Sequence, residues 1–517
     1  MLTTELAHIE YPLDLADIVV VGYRSATARS FTIRPVQVGT YVLAVWPRAL
    51  PTSHWTWART VTFDTPAGPP QVELFEPPGQ QLQSVREWDW SLTRVAGRHA
   101  RLSKAQAVFG GFAAARGELR FADPLAGGEV RTTVWSCHQP FLTENGVAVV
   151  DPHTEDVFDW YTGVLNDFQP DTVWGEGDNA YSDGTTATDF ADQVYGRPGW
   201  QLDASARTWL TDAYRRMYRY HWSFAGMRDA QRKYAHIMIW DDHEIRDGWG
   251  SEAEDFDDGN VAMFEIAKSV AAEYVLGAGP RVRTAAGLDA HQAYVVGPQA
   301  AFIFDARTSR RYSNPGGQIV SPAQLADFRA FCEAIANDPS IRVLLLGTTV
   351  PFVYLKDIFE TLGSNAPKFL TDPLMGIRDD LRDSWHSPGN LEALQQLLDV
   401  VKDLMWRRPG LHVVNVSGDI HVSNAFEMSP PGFPRPIYQV TTSAITNRSH
   451  MPTVLSEVMA LATIENLPKL GLVRKLWAEI EDPNVLCITI TPDRAVFRLK
   501  VCPVDGSTAT DQELVLV

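Results

Sequence analysis

Acidic residues, in two cases joined by a histidine, directly follow three predicted strands of this 517-residue chain. The strands are short and largely apolar and cover 172–174, 236–240 and 411–416. A single Asp after a strand is usually a turn former or a helix cap, but three independent strand ends that all carry acids are harder to explain in that way. The side chains concerned belong to Asp178, Asp242, His243, Asp419 and His421.

These side chains have the chemistry of a metal site. Carboxylate oxygens suit hard cations, and a neutral imidazole adds affinity for a transition metal. Open α/β sheets bind their ligands beyond the carboxyl ends of the strands. The pattern therefore predicts a metal-binding rim that is assembled from separate strand ends.

Strands and helices alternate along the chain from about residue 130. Further strand candidates are 132–136, 301–304 and 342–346, and a closing hairpin is expected from 486–491 and 495–501. Helical patterns cover 155–168, 205–222, 261–276, 322–336 and 391–405. Pro322 after Ser321 is a typical helix start. Alternation of this kind favours an α/β layered core.

The first part of the chain has a different pattern, with short strands and no helix between them. Pro and Gly separate segments that are rich in β-branched and aromatic residues, which indicates a β-sandwich or barrel-like module. Trp55, Trp57, Trp88 and Trp90 could line a ligand surface there, although core packing is the simpler expectation. The predicted strands are 17–24, 28–35, 39–46, 58–65 and 71–75.

The net charge limits the classes of partner. With 45 basic and 63 acidic side chains the chain carries −18, which argues against an extended surface for nucleic acid or anionic lipid. Bound metal ions can nevertheless make a phosphate site in an acidic protein. The longest nearly apolar stretch, 343–355, is interrupted by Gly347 and Pro351 and is too short to cross a bilayer.

The cysteines and the first residues bear on the compartment. Four cysteines without CxxC spacing are too few for a disulfide framework. No basic region followed by an apolar run stands at the beginning of the sequence, so we expect a cytoplasmic protein, or a secreted or periplasmic one if a leader has been removed.

Two other catalytic motifs fit poorly. Gly175, Gly177 and Ala180 match a loose dinucleotide-binding fingerprint, but the residues that follow are poor helix formers, and the fingerprint needs a helix to begin there. The GxSxG motif of serine hydrolases does not occur in the sequence.

Taken in order, the motifs are similar to those of the alkaline phosphatase D (PhoD-like) family of calcineurin-like metallophosphoesterases, over roughly residues 130 to 445. The resemblance implies an α/β (α+β) fold, a four-layer sandwich of two mixed β-sheets flanked by helices, after an N-terminal all-β domain. We expect the domains to cover 1–127 and 128–517. The matching motifs are Ser136-Cys137, Gly177-Asp178-x-x-Tyr181, Ile239–Glu244, Asp305-Ala306-Arg307, Asp383-Ser384-Trp385 and Ser417–His421.

The resemblance also implies roles for single residues. Asp178 corresponds to the carboxylate that bridges metals, and Tyr181 to a phenolate ligand of ferric iron. His243 corresponds to the group that steadies the transition state or protonates the leaving oxygen. The complete metal-ligand set implied is Cys137, Asp178, Tyr181, Asp242, Asp419 and His421.

The sequence departs from the wider superfamily at its first motif. Where relatives have an Asp-x-His pair, this chain has Ser136-Cys137-His138, and for His138 a core role is as plausible as ligation. The ligand set is rich in oxygen and poor in imidazole. This composition, like the resemblance, favours Fe³⁺ with Ca²⁺ over two zinc ions, with Zn²⁺ or Mn²⁺ as alternatives.

The expected reaction is hydrolysis of a phosphate ester by a metal-bound hydroxide, with Asp178 and His243 as catalytic residues. Arg246 and Arg307 are candidates for phosphate contact because a guanidinium binds phosphate through two donors, but each also has an acidic neighbour for a structural ion pair. A small-molecule or lipid phosphate ester is the expected substrate. A phospholipase D-like diesterase and a non-catalytic binding protein with a degenerate phosphatase domain remain alternatives, and the oligomeric state is open.

Overall fold

The computed structural model describes most of the chain. The described residues are 15, 17–24, 28–48, 57–63, 72–75, 87–95, 113–120, 128–183, 189–195, 203–276, 279–280, 289–311, 317–353, 384–387, 389–446, 464–477, 479–504 and 510–517.

Within these residues there are six α-helices and 23 strands. The helices are α1 (Thr154–Phe168), α2 (Ala204–His221), α3 (Ala225–Lys233), α4 (Asp258–Tyr274), α5 (Pro322–Ala336) and α6 (Leu391–Arg407). The first twelve strands are β1 (Ile18–Arg24), β2 (Ala28–Arg34), β3 (Gly39–Pro47), β4 (Trp57–Phe63), β5 (Val72–Phe75), β6 (Glu87–Val95), β7 (Ala113–Arg120), β8 (Val130–Trp135), β9 (Phe141–Glu144), β10 (Val147–Val150), β11 (Thr172–Glu176) and β12 (Ala235–Ile239). The later strands are β13 (Gln292–Val296), β14 (Gln299–Ile303), β15 (Val343–Gly347), β16 (His412–Ser417), β17 (Asn424–Ser429), β18 (Ile437–Thr441), β19 (Ile464–Leu467), β20 (Gly471–Lys475), β21 (Asn484–Ile490), β22 (Ala495–Val501) and β23 (Gln512–Leu516).

Two mixed sheets form the centre of the molecule. The first has nine strands in the order β23-β22-β21-β8-β11-β12-β1-β2-β5, and the second has eight in the order β13-β14-β15-β16-β18-β17-β20-β19. The middle strands of each sheet are parallel to one another: β8, β11, β12 and β1 in the first sheet, and β14, β15, β16 and β18 in the second. Parallel strands present all their carboxyl ends at one edge, where functional loops collect.

The layers follow from the alternation of side chains along the buried strands. On β15, Leu345 belongs to the core between the two sheets, whereas Leu344 and Leu346 pack against α5 and α6 on the outer side. Helices α1 to α4 contribute to the core with the first sheet. The result is helices, sheet, sheet, helices, which confirms the predicted four-layer sandwich.

The N-terminal region adds a four-stranded sheet in the order β4-β3-β6-β7. Its core contains Trp88 and Trp90, which are both buried. The expectation of core packing is therefore confirmed for these two tryptophans. The side chains of Trp55 and Trp57 lie outside the described residues. Since β1 pairs in parallel with β12, strands from this region also extend the nine-stranded sheet. The division into 1–127 and 128–517 stays a prediction, and the shared sheet crosses it.

Local sequence accounts for the element boundaries that position the site. Ser321 caps α5 by accepting a hydrogen bond from the backbone N–H of Gln324 at 3.0 Å, with Pro322 in the first turn. The predicted strands and helices are present with ends shifted by at most a few residues, and β21 and β22 form the expected antiparallel hairpin. Helix α3 was not predicted, since its nine residues are too few for a clear period.

No helix in the described part of the chain is both long and apolar enough to span a membrane.

A buried histidine of β12 makes stability depend on pH. Burial lowers the pKa of His236 to about 4, against the effect of its hydrogen bond with the Tyr234 carbonyl. The folded state therefore keeps His236 neutral. The stability that this neutral side chain contributes is complete above pH 6.5 and declines as the pH falls towards 4. The unfolding free energy of both proteins should fall when the pH is lowered from 7 to 5. We expect this fall to be about 2 kcal/mol smaller for His236→Gln than for the wild type. Urea denaturation at both pH values measures this, and equal losses would contradict it.

Candidate metal centre

The carboxyl ends of parallel strands from both sheets meet at one edge. From the first sheet, β8 leads to Cys137, β11 to Asp178 and β12 to Asp242. From the second sheet, β14 leads to Arg307 and β16 to Asp419 and His421. Contacts across the two sheets fix this arrangement, because the Thr349 hydroxyl donates to Asp241 Oδ1 at 2.8 Å.

Three groups of side chains are close enough to hold metal ions, and Asp178 belongs to all of them. In each group the potential ligand atoms lie within 4.8 Å of one another. The groups are Cys137 with Asp178 and His421; Asp178 with Asp242 and His243; and Asp178 with Asp241, Asp242 and Asp419. A carboxylate shared by neighbouring groups has the position expected of a bridging ligand.

Asp178 also shows that the residues fit a cation. Its Oδ2 lies 3.6 Å from Cys137 Sγ and 3.3 Å from the Tyr181 hydroxyl. Its Oδ1 is buried and has no hydrogen-bond partner among the described residues. Burial, followed by the charges of Asp242 and Asp241, raises the pKa of Asp178, while His243 opposes this. A buried carboxylate with an unpaired oxygen and acidic neighbours is stabilised by a metal ion.

Tyr181 connects the first of these groups to His243. Its hydroxyl lies 3.0 Å from His421 Nε2, and its ring packs on the His243 ring with centroids 4.2 Å apart. The backbone N–H of Tyr181 donates to His221 Nε2 at 3.2 Å. Because His221 Nδ1 lies 2.8 Å from the Met217 carbonyl, that histidine is held in the tautomer that accepts at Nε2.

A buried guanidinium stands beside the acids. Arg307 pairs with Asp241, lies 3.3 Å from Asp242 and 4.0 Å from Asp419, and donates to the Trp249 carbonyl at 3.1 Å. Burial alone would raise the pKa of Asp242, but the charges of Arg307 and His243 and the backbone hydrogen bond from Gly248 together outweigh it and lower the pKa to about 2. Asp242 is therefore ionised across the physiological range and ready to bind a cation.

Four of the proposed ligands have left-handed backbone conformations. The φ angles are 57° at Cys137, 51° at Asp178, 71° at Asp419 and 54° at His421, and only three other non-glycine residues of the described chain share this property. Such conformations cost about 1–3 kcal/mol each and collect at functional sites. Gly177, at φ 87°, precedes Asp178 because a Cβ there would lie 2.8 Å from Asp241 Cβ.

His243 is held by a carboxylate that the sequence analysis did not single out. Asp183 Oδ1 lies 2.6 Å from His243 Nδ1, Asp247 Oδ1 lies 4.0 Å from His243 Nε2, and the His243 side chain is 14% exposed. Burial opposes protonation, but the charges of Asp183, Asp242 and Asp178 outweigh it and raise the pKa of His243. A protonated imidazole is a candidate general acid, and this role of His243 stays a prediction.

Glu244 is the second functional side chain that sequence reasoning missed. Its Oε1 accepts from the backbone N–H and the side-chain amide of Asn179, both at 2.8 Å. Its Oε2 accepts from the backbone N–H groups of Asp241 at 2.8 Å and Asp178 at 3.1 Å. One buried carboxylate therefore fixes the loops after β11 and β12 to each other. The signal in the sequence that could have identified Glu244 was its position directly after His243 in the motif.

We expect Glu244→Gln to lower the unfolding free energy of the metal-free protein by about 1–3 kcal/mol, the scale of leaving a buried hydrogen-bonding group unsatisfied. The new amide NH₂ must face either the backbone N–H groups of Asp241 and Asp178 or the backbone N–H and side-chain amide of Asn179, and all of these donors were satisfied by Glu244. Urea denaturation measures the loss, and Glu254→Gln, at an exposed glutamate, is the matched control with a change within about 0.5 kcal/mol. Equal effects of the two substitutions would show that Glu244 does not hold the loops.

The structure separates the remaining candidates. Arg246 pairs with Asp255 at 2.9 Å and lies over the Tyr195 ring at 3.9 Å, which favours the structural ion pair over phosphate contact. His138 is buried, with Nδ1 2.9 Å from the Thr446 hydroxyl and Nε2 2.7 Å from a backbone carbonyl, which favours its core role. In the motif 383–385, Asp383 lies outside the described residues.

A layered α/β sandwich with acids from both sheets at one edge is an arrangement that suits a metal-dependent hydrolase, and comparison with known families identifies the class. The model of the PhoD-like phosphatase family matches residues 136–473. The chain belongs to the PhoD-like phosphatase family, as the motif resemblance implied. Comparison with the curated proteins finds no match.

Solved structures show the same fold. The structure of PhoD is similar with a TM-score of 0.61 at 14% identity, over 98% of this chain and 90% of that one. A purple acid phosphatase, PPD1 from yellow lupin (Lupinus luteus) seeds, is similar with a TM-score of 0.55 at 10% identity, over 96% of this chain and 74% of that one. At these identities the likeness concerns the fold alone.

Proposed function

We propose that this chain hydrolyses phosphate esters at a site of several metal ions held between the two sheets. The observation that carries the proposal is that Asp178 belongs to all three groups of potential ligands, with one buried oxygen unpaired among the described residues. Membership of the PhoD-like phosphatase family supports the same chemistry.

Six side chains would hold the metal ions. Cys137, Tyr181 and His421 surround Asp178 on one side, and Asp242 and Asp419 on the other. When bound, metal ions supply Lewis acidity, lower the pKa of a water and neutralise the phosphoryl oxygens. A thiol, a phenol and an imidazole around one carboxylate suit iron, and the carboxylate group suits a hard cation such as Ca²⁺. The proposed pair is therefore Fe³⁺ with Ca²⁺, and Zn²⁺ or Mn²⁺ are alternatives.

The chain's own residues would orient the substrate and move a proton. His243, protonated and held through Nδ1 by Asp183, presents its partly exposed ring edge to the site. From there it would donate its Nε2 proton to the leaving oxygen of the ester. Tyr181, packed against this ring, would keep its plane fixed. The Asp183 carboxylate would stabilise the imidazolium before the transfer.

Arg307 would act as a built-in positive charge. Its contacts with Asp241 and Asp242 lessen the repulsion among the acids, and they leave Asp242 ionised. Its guanidinium is fully buried, so direct contact with a substrate phosphate requires the substrate to reach the floor of the site. That contact stays a prediction.

Hydrolysis of p-nitrophenyl phosphate and bis(p-nitrophenyl) phosphate, measured before and after chelation and after metal is restored, tests the proposal. Chelator-sensitive turnover of either ester is the expected result, and the ratio of the two rates distinguishes a monoesterase from a diesterase. Absence of turnover of both esters by metal-replete protein would contradict the proposal. Elemental analysis of the same sample identifies the ions, and Fe with Ca is the expected content.

A further inference from the structure

The hydroxyl of Ser443 lies between two of the proposed metal ligands. Ser443 follows β18 at the same edge and is fully buried. Its Oγ accepts a hydrogen bond from the backbone N–H of His421 at 2.9 Å and lies 3.1 Å from Cys137 Sγ. One hydroxyl group thus touches a ligand from the first sheet and a ligand from the second.

The direction of the Ser443 proton follows from these contacts. The His421 N–H can only donate, so Ser443 Oγ must be the acceptor in that bond. Among the described residues the sulfur of Cys137 is the remaining neighbour that can accept, so the hydroxyl proton is directed at Sγ. The hydroxyl is therefore a donor to the sulfur as well as an anchor for His421.

Other hydrogen bonds fix Ser443 in this place. Its backbone N–H donates to Ser423 Oγ at 3.0 Å. Its carbonyl accepts from Asn484 Nδ2 at 2.8 Å and lies 3.1 Å from Ser423 Oγ. Ser423 and Asn484 are both buried and hydrogen-bonded to each other at 2.7 Å. The chain around Ser443 is thus held on both sides, which is what a group that positions ligands requires.

Ser136 provides a natural comparison beside the same sulfur. Its Oγ lies 3.4 Å from Cys137 Sγ but only 2.8 Å from the carbonyl oxygen of Thr442. A hydroxyl has one proton, and an oxygen at 2.8 Å is a stronger acceptor than a sulfur at 3.4 Å. Ser136 therefore directs its proton mainly at the Thr442 carbonyl and makes only the longer, weaker contact with Cys137, although it is the adjacent residue.

We infer that Ser443 is a positioning residue of the metal centre, which sets the donor strength of the Cys137 thiolate and holds His421 in register with it. A hydrogen bond to a thiolate withdraws electron density from the sulfur, and outer partners of this kind tune metal affinity and electronic properties. The inference rests on the proposed function, in which Cys137 and His421 bind a metal ion.

The test uses Co²⁺ as the probe, added to the metal-free full-length protein. A thiolate ligand gives a sulfur-to-cobalt charge-transfer band in the near ultraviolet. Ser443→Ala should move this band to longer wavelength, because the sulfur electrons are no longer stabilised. It should also weaken Co²⁺ binding by about 10- to 100-fold, because the backbone of His421 loses its anchor and this ligand is no longer held in register. Ser443→Thr keeps a hydroxyl and should retain the wild-type band. Ser136→Ala is the comparison variant, and it should move the band and weaken Co²⁺ binding much less than Ser443→Ala does.

The outcomes separate this inference from the proposed function. A wild-type band that Ser443→Ala leaves in place, or that Ser136→Ala moves equally, overturns the role of Ser443 and leaves the metal site standing. A cobalt-loaded wild type without the band removes Cys137 from the ligand set and overturns the inference together with that assignment. Circular dichroism of each variant confirms that it is folded before the band is interpreted.

Discussion

Replacing Asp178 with alanine is expected to abolish hydrolysis and metal binding together. Asp178 is the one side chain that belongs to all three groups of potential ligands, so its loss removes a donor from every metal position at once. We expect kcat/KM to fall by at least about 10³-fold, the scale on which a preorganised charge-stabilising group acts. The loss arises because neither the attacking water nor the phosphoryl oxygens keep their partners.

Metal content by elemental analysis and turnover of p-nitrophenyl esters measure the two effects on the same sample. Asp212→Asn is the matched control, because the Asp212 carboxylate is 60% exposed on α2. That variant should keep both metal and rate. An Asp178→Ala protein with full turnover would show that the site lies elsewhere, and one with full metal content but no turnover would make Asp178 catalytic without being a bridge.

His243→Ala should separate the two effects: the variant should keep its metal ions but hydrolyse esters more slowly. The ring is held by Asp183 and presents a partly exposed edge, and a general acid of this kind contributes about 10²- to 10⁴-fold. The loss should be larger for esters with poor leaving groups, because an alkoxide needs the proton and a nitrophenolate hardly does. A series of aryl and alkyl phosphates, compared by kcat/KM, measures this dependence.

The metal content of His243→Ala decides between two roles. His243 also lies within ligand distance of Asp178 and Asp242, so a protein that loses metal would make it a ligand. Asp183→Asn provides an intermediate case, since the amide keeps the ring near its place but no longer stabilises its charge. We expect a smaller loss of rate there, with the same dependence on the leaving group. An equal loss for all leaving groups would contradict proton donation.

The strand ends were the part of the site that local sequence could predict. Asp178, Asp242 and Asp419 each follow an apolar strand, and an acid in that place is visible without any knowledge of its neighbours. The alternating strands and helices were predicted for the same reason, since periods of two and 3.6 residues are properties of short segments. The four-layer arrangement was predicted only from the resemblance of the ordered motifs to those of the PhoD-like family. Glu244 was visible in its motif, yet its four hydrogen bonds reach across two loops and could not be inferred from spacing.

Long-range pairing determined the rest. Asp183, Ser443 and Arg307 act through partners that lie 60, 306 and 66 residues away in the chain. Arg246 and Arg307 looked alike in sequence, each beside an acid, but one pairs with Asp255 and the other stands among the carboxylates of the metal centre. The sequence by itself determined the longer helices, the strands that lead to the acids and the residue types at the ends of those strands, because hydrophobic period and turn chemistry act locally. Only the tertiary structure decided which of those ends meet, because the contacts come from the packing of one sheet on another.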